Sequence, residues 1–225
     1  MEYTLNVSAE RSVVRESLKG IIWTIFFHRL FGPITPSMNE FLGVPYPIAE
    51  SMTSLDTLID EKIHHLIKNV FNGNVTAPSG NSRNVKSGQI KIQLYELRVK
   101  KSKKTGWFGQ VKSEDEEKRL WESWVINVKC YPVDEGGPGN VETGGKSTDD
   151  RSSTKSEPMA MSIASFKENL NNIIDIADTH KDHIPPITSL DSLPFPYTII
   201  VSDTQVHSTA TEEESWGTLI KKMLD

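Results

Sequence analysis

Hydrophobic and polar positions along the first 72 residues predict one strand and two helices. Residues 3–7 alternate between apolar and polar side chains, which is typical of a half-buried strand. Two later stretches carry an apolar residue at every third or fourth position, the spacing of one helix face. The first stripe, which ends before Gly32-Pro33, comprises Val14, Leu18, Ile21, Ile22 and Ile25. The second, which begins at Thr53 and ends at Asn72-Gly73, comprises Leu55, Leu58, Ile59, Ile63, Leu66, Ile67 and Val70.

The segment between these helices carries three prolines, Pro36, Pro45 and Pro47. Proline has no backbone N–H and interrupts regular hydrogen bonding. The pattern therefore predicts an irregular, partly packed connection over residues 35–51. At the start of the second helix, the sequence Thr53-Ser54-Leu55-Asp56 resembles a capping box.

Two strands in the middle of the chain are predicted to form a long antiparallel ribbon. Residues 89–94 alternate strictly, and the alternation slips by one position at Tyr95, which indicates a β-bulge. The second strand runs from about Leu120 to Tyr131. We expect the residues between the strands to form the tip of the ribbon. One face of the second strand is apolar: Trp124, Ile126, Val128 and Cys130.

The remaining sequence predicts a third helix, another strand and two long polar segments. Residues 72–88 are expected to form a flexible loop, and residues 134–157 a disordered insert, since the insert contains only one aliphatic side chain. A helix follows, either with Pro158 in its first turn or starting nearer Ser165, where Ser165-Phe166-Lys167-Glu168 also fits a capping box. A buried strand is expected next at 197–201, with a possible partner at 205–207. A final helix is expected around 216–223. The whole chain, residues 1–225, therefore reads as one α+β domain.

Charge and cysteine content exclude several classes of protein. The 25 Lys and Arg residues are outnumbered by 30 Asp and Glu residues, a net charge of −5, whereas a nucleic-acid-binding domain is usually basic. A single cysteine, Cys130, allows neither an intrachain disulfide nor a cysteine-based zinc site. The longest apolar run, residues 21–27, is far shorter than the roughly 20 residues that cross a bilayer. We therefore expect a cytoplasmic protein that binds no nucleic acid.

Catalytic motifs are missing from the sequence. Residues 139–147 resemble a phosphate-binding loop, but Asn140 stands where that motif requires glycine. The six histidines form no HExxH motif, and His180 and His183 read as a polar helix end. No GxSxG nucleophile elbow is present. The sequence thus predicts a protein that is not an enzyme and needs no cofactor or metal.

The ribbon tip carries the most distinctive side chains. Five basic residues within 98–104 precede Trp107 and Phe108, and four acidic residues, 114–117, follow them. Two large aromatic side chains exposed on an arm would be suited to docking on a partner. They could equally fold back and pack against the body of the domain, and the sequence leaves both readings open.

Four sequence stretches together resemble the autophagy-related protein 101 family. They are residues 26–29 (FFHR), Trp107-Phe108, residues 120–125 (LWESWV) and residues 219–224 (LIKKML). The resemblance implies an α+β, HORMA-like fold, with central helices packed on a mainly antiparallel sheet and a protruding β-ribbon tip. It also implies a non-catalytic scaffold subunit of the autophagy-initiating kinase complex. It implies a heterodimer in which this chain stabilises the HORMA domain of autophagy-related protein 13. It further implies that Trp107 and Phe108 form an exposed finger that recruits downstream autophagy factors to the autophagosome assembly site.

The resemblance also suggests residues 159–179 as the helix that contributes to the HORMA–HORMA interface. Two other functions remain open. In one, the chain is a HORMA switch whose mobile C-terminal segment wraps around a peptide. In the other, the basic and aromatic tip binds an acidic membrane surface, although the adjacent acidic residues oppose a lasting positive field. Any membrane contact is otherwise expected to be indirect.

Overall fold

The computed structural model describes residues 1–72, 85–99, 116–133, 157–187, 191 and 193–202. Helices and strands contribute about equally to these residues, which establishes the predicted α+β class. In chain order the elements are β1 (Glu2–Glu10), α1 (Val14–Phe27), β2 (Pro36–Phe41), β3 (Val44–Ala49), α2 (Thr53–His65), a π-helical turn (Leu66–Phe71), β4 (Lys86–Val99), β5 (Glu116–Tyr131), α3 (Glu157–Thr179) and β6 (Tyr197–Ser202).

Four of the described strands form the main sheet, in the order β1-β5-β4-β6. β1 runs parallel to β5, whereas the β5–β4 and β4–β6 pairs are antiparallel. One face is buried: Leu5, Ile126 and Ile90 lie opposite one another on three neighbouring strands, and each is at most 2% exposed. This confirms the prediction of helices on a mainly antiparallel sheet, with the alternation of each strand setting its buried face.

Helix α1 lies in the middle of the core, where it contacts α2, α3 and β3. Most of its residues are buried, as the wide apolar stripe predicts. The helix ends at Phe27, before the predicted stop at Gly32-Pro33. The N–H of Arg29 donates to the Phe26 carbonyl at 2.8 Å, which tightens the chain into a three-residue turn. This turn directs the Arg29 side chain into the interior, where it is 2% exposed.

Helix α2 buries most of the predicted stripe, and its two adjacent histidines, His64 and His65, are exposed. The capping box at Thr53 does not form, because Thr53 is already helical and the preceding Met52 makes no side-chain cap. The helix continues into the π-helical turn, where the N–H of Asn72 donates to the Ile67 carbonyl. The wider turn lets both Val70 and Phe71 face the core.

Residues 35–51 form a β-hairpin, so the prediction of an irregular connection is wrong. In an antiparallel hairpin, hydrogen-bonded residue pairs alternate with pairs that form no ladder hydrogen bonds. The N–H of Glu50 donates to the Thr35 carbonyl, so Pro36, Pro45 and Pro47 fall in pairs without ladder hydrogen bonds. The three prolines fit because no backbone N–H is needed at these positions. The two turn residues have positive φ angles, 48° at Leu42 and 84° at Gly43. Positive φ at both positions is typical of the tight hairpin turn.

The predicted bulge in the ribbon is present. Leu94 pairs with Glu122 and Tyr95 with Leu120, so the extra residue, Trp121, belongs to β5. Beyond this bulge, residues 95–99 of β4 pair with residues 116–120 of β5. We call this outer part of the ribbon the stem. A bulge bends a strand and increases its twist, so this bulge helps to set the direction in which the stem leaves the sheet.

Helix α3 covers the edge of the sheet that β1 would otherwise leave open. Ser165 Oγ accepts a hydrogen bond from the N–H of Ser8, and Ser162 Oγ accepts one from the N–H of Glu10, both at 2.9 Å. The side-chain amide of Asn169 donates to the Asn6 carbonyl at 2.9 Å. Three polar side chains on one helix face therefore replace the partner strand that an open edge would recruit.

Replacing Asn169 by alanine is expected to lower the free energy of unfolding by about 1–3 kcal/mol, because it leaves the Asn6 carbonyl partly buried without this donor. Asn172→Ala on the exposed face of α3 makes the same chemical change and should be neutral or slightly stabilising, since alanine favours helices. Urea unfolding of both variants measures the difference. Equal stabilities would show that α3 does not protect the β1 edge.

Several predicted segments lie wholly or partly outside the described residues. β4 begins at Lys86, inside the predicted loop 72–88, and α3 begins at Glu157, the last residue of the predicted insert 134–157. The rest of that insert, residues 73–84 of the loop, the possible strand at 205–207 and the predicted helix at 216–223 lie outside. The third helix is confirmed, and it begins at Glu157, with Pro158 in its first turn, and not near Ser165. The strand at 197–201 is confirmed, but the expectation that it is buried is wrong, because Ile199 is 4% exposed and Ile200 46%.

Candidate functional site

Trp107 and Phe108, the predicted docking residues, lie outside the described residues, as does the resemblance to a phosphate-binding loop at 139–147. The structure does describe most of the stem that leads to Trp107 and Phe108. By chain connectivity, residues 100–115 join the outer ends of β4 and β5. The direction of the stem therefore bears on where Trp107 and Phe108 can lie relative to the domain.

One side of the stem mixes apolar and charged residues, since Lys118 pairs with Leu97, and the other side is charged throughout. Leu97 and Leu120 are each 44% exposed and share the side of Tyr95, which pairs with Leu120. The other side presents alternating charges, and Arg98 Nε lies 2.8 Å from Glu96 Oε2. The charged residues on that side are Glu96, Arg98, Glu117 and Arg119. The stem thus leaves the body with apolar side chains in solvent and with its charges close to balance.

A buried charge cluster lies directly below the stem, centred on Glu122 of β5. The guanidinium of Arg29 donates from Nε to Glu122 Oε1 and from Nη2 to Oε2, both at 2.8 Å. Trp124 Nε1 donates to Oε1 at 2.6 Å, and His183 Nε2 lies 2.8 Å from Oε2. The Arg29 and Glu122 side chains are 2% and 0% exposed, so this bidentate pair is inside the protein.

Burial of the Glu122 carboxylate by itself would raise its pKa, but the hydrogen bonds and positive charge of Arg29 outweigh burial and hold the pKa below the ordinary value. Hydrogen bonds from Trp124 and His183 lower the pKa further. Glu122 is therefore ionised at neutral pH. A buried carboxylate with four donors is a strong structural anchor, because removing either Arg29 or Glu122 leaves the other's charge buried without compensation.

The described residues of the connection between α3 and β6, 180–187, 191 and 193–196, include side chains that contact this cluster. We call this connection the crossover. His183 lies between two aromatic rings, with centroid distances of 5.5 Å to Trp121 and 6.2 Å to Tyr3. Phe195 lies 4.9 Å from the Trp121 ring. Among the described residues, Trp121 Nε1 and Tyr3 Oη are buried without a hydrogen-bond partner. The crossover therefore packs against the bulge mainly through rings.

Sequence reasoning missed this cluster. Glu122 shares the two-residue period of Trp124 and Ile126, so the alternation of β5 already placed a carboxylate on the buried face. A charge at such a position needs a partner. Arg29 and His183 are remote in sequence, and nothing in the sequence indicated either as that partner. His183, interpreted as part of a polar helix end, in fact contacts Glu122.

Other chemistry-bearing side chains offer less. Cys130 is 1% exposed, as expected for a thiol used as a small hydrophobic group, and burial raises its pKa. Within the described ranges, His, Cys, Asp and Glu side chains form no group of three that could hold a metal ion. None of the helices in those ranges is both long and apolar enough to cross a membrane.

These features define an α+β protein with a long antiparallel ribbon that rises from a buried, hydrogen-bonded charge cluster. A family model for autophagy-related protein 101 matches residues 6–191, and the chain belongs to this family. It is 30% identical over 189 residues to autophagy-related protein 101 of Arabidopsis thaliana, covering 80% of this chain and 77% of that protein. It is 24% identical over 224 residues to autophagy-related protein 101 of Schizosaccharomyces pombe (strain 972 / ATCC 24843), covering 98% and 93%. The chain therefore has an autophagy-related role.

Proposed function

We propose that this protein is a non-catalytic adaptor of the autophagy-initiation complex that captures downstream factors through Trp107 and Phe108. The observation that carries the proposal is the stem: β4 and β5 remain paired beyond the bulge, and the stem exposes Leu97 and Leu120. Residues 100–115 connect the outer ends of this ribbon. Two large aromatic side chains at such a position are suited to burial in a partner, where each contributes about 2 kcal/mol or more as a hot spot.

The adaptor works as one half of a heterodimer with the HORMA domain of autophagy-related protein 13, which it stabilises. Family membership and the order of elements, with α3 placed between the ribbon and β6, support a HORMA-like fold. We place the partner interface on α3. This helix buries one face against β1 and leaves Met161 and Ile174, which flank that face on opposite sides, 44% and 47% exposed. The complex acts in the cytoplasm and is recruited to the autophagosome assembly site.

The test of the docking proposal is the double variant Trp107→Ala/Phe108→Ala in the full chain. We expect capture of downstream autophagy factors from cell extract to fall at least tenfold, since two hot-spot side chains are removed together. Binding of the HORMA partner and the thermal unfolding transition should stay unchanged. The matched control is Lys103→Ala/Lys104→Ala, which changes two side chains of the same segment and should retain capture.

Each alternative predicts a different outcome of this experiment. If the aromatic rings pack into the body, the double variant unfolds at lower temperature than wild type, and the docking proposal fails. If the tip binds acidic lipid, the lysine control loses flotation with anionic liposomes, and high salt abolishes flotation of wild type. If the chain is a peptide-capturing switch, a bound peptide protects residues after Pro186 from protease while the aromatic variant behaves as wild type.

A further inference from the structure

We propose that His183 is a positioning residue that holds the ribbon stem at a fixed angle to the body of the domain. The joint lies at the bulge, where Trp121 is the extra residue of β5. The crossover contacts the ribbon there on both of its strands. The role of His183 in fixing the stem angle does not depend on the proposed function. Its consequence, that the stem angle governs docking at the tip, rests on the proposed function.

On the β5 side, the joint is held by the charge cluster and by rings. His183 Nε2 reaches Glu122 Oε2 at 2.8 Å, and the His183 ring lies 5.5 Å from the Trp121 ring. Trp121 also packs against Phe195 of the same crossover, at 4.9 Å. The bulge residue is thus enclosed between two crossover side chains, and it makes these contacts through its ring, because its Nε1 has no hydrogen-bond partner among the described residues.

On the β4 side, the crossover makes a backbone contact. The N–H of Tyr95, the first stem residue of β4, donates to the Pro196 carbonyl at 2.8 Å. One chain segment therefore contacts both strands at the level of the bulge. Beyond this level the stem exposes Leu97 and Leu120, so its packing against the body is weak. A bulge permits bending, and the contacts at its base decide which bend is adopted.

His183 is suited to this role because it is not needed to keep Glu122 paired. Without the imidazole, the carboxylate retains both hydrogen bonds from Arg29 and the one from Trp124. The His183 side chain is 14% exposed, so its removal opens the joint toward solvent and leaves the core below it filled. The effect on stem direction should therefore be separable from an effect on folding.

The experiment measures the stem angle directly in the full chain. Spin labels are attached at Leu97→Cys on the stem and Glu61→Cys on the exposed side of α2, while the buried Cys130 stays unlabelled. Pulsed electron–electron double resonance then gives the distribution of distances between the two spin labels. We expect a single narrow distribution in wild type and a distribution at least twice as wide in His183→Ala.

Two matched variants separate positioning from general damage. His183→Gln keeps an N–H donor for Glu122 and should restore most of the narrow distribution, whereas His64→Ala removes an exposed histidine of α2 and should leave it unchanged. If His183→Ala lowers the thermal transition so far that it is not folded, Trp121→Leu tests the same joint from the other side. An unchanged distance distribution in a folded His183→Ala or Trp121→Leu protein overturns the proposal.

Capture of downstream factors is measured on the same proteins. The proposal expects His183→Ala to weaken tip-dependent capture several-fold while HORMA-partner binding is retained. A wide distance distribution together with wild-type capture would contradict the link between stem angle and docking. If Trp107→Ala/Phe108→Ala shows no loss of capture but His183→Ala widens the distribution, the proposed function fails and the joint stands.

Discussion

Glu122→Ala is expected to destabilise the protein by about 3–5 kcal/mol, because it leaves the Arg29 guanidinium buried without a counter-charge. Trp124 and His183 lose their acceptor at the same time. At this magnitude a domain near the low end of the usual range, about 5 kcal/mol, retains little of its free energy of unfolding. Urea unfolding monitored by tryptophan fluorescence measures the loss. Glu168→Ala, an exposed glutamate of α3, is the control and should change stability by less than about 0.5 kcal/mol.

A double variant identifies the cause of that loss. Arg29→Met/Glu122→Met removes both charges and keeps much of the volume, so it should be more stable than Glu122→Ala, although Trp124 Nε1 still lacks its acceptor. If the free energy of unfolding of Glu122→Ala falls by less than about 1 kcal/mol, the expected role of the charge pair is contradicted, since a buried guanidinium without a counter-charge should destabilise the protein by more. Equal stability of the single and double variants would place the cost in the cavity and not in the charge.

The same carboxylate gives a pH dependence with a definite sign. The pKa of Glu122 in the folded protein lies below its ordinary value of 4.5, because Arg29 outweighs the effect of burial. A lowered folded pKa adds stability that is present above the unfolded value and is lost as pH falls through the folded pKa. Glu122→Gln lacks this contribution. The stability difference between wild type and Glu122→Gln should therefore be constant near neutral pH and shrink below pH 4.5.

The elements predicted best are those whose pattern is a direct consequence of burial on one side. The alternation in β4 predicted the strand, because a two-residue period has only two phases. Its slip at Tyr95 correctly indicated the level of the bulge, although the extra residue, Trp121, is in β5. The hairpin at 36–49 was missed for a physical reason. Prolines were interpreted as breaks, yet each occupies a position where no ladder N–H is needed, and that depends on a register the sequence does not display.

The site could be predicted only in part. Trp107 and Phe108 stand out in sequence because the segment around them is mostly polar, and their role stays a prediction. The Glu122 cluster depends on contacts between residues more than 60 positions apart, Arg29 and His183 on one carboxylate. A single sequence contains no signal for such pairings. The sequence does show that Glu122 falls on the buried face of β5. A buried charge requires a partner, but the sequence does not indicate which residue that partner is.

Phe166→Ala is expected to lower the free energy of unfolding by about 3–5 kcal/mol. The packing of α3 would then contribute to stability as much as the Glu122 cluster does. Phe166 is 0% exposed, and its ring lies 4.6 Å from that of Phe41 and 6.0 Å from that of Tyr46 in the hairpin. It also fills the space above Gly20 of α1, where a β-carbon would come within 2.7 Å of Phe166 Cζ. One ring thus holds together α3, α1 and the hairpin.

The loss of stability in Phe166→Ala should be largest at the β1 edge, since α3 also supplies the side chains that hydrogen-bond to that edge. Hydrogen exchange at the N–H groups of Ser8 and Glu10, which donate to Ser165 and Ser162, should accelerate more than exchange in the β4–β5 ladder. Lys167→Ala, the exposed neighbour, should leave both unchanged. If Phe166→Ala accelerates exchange equally in all strands, α3 does not open separately from the sheet. Its ring then anchors the whole core, and the proposed partner surface on α3 cannot move independently of the domain.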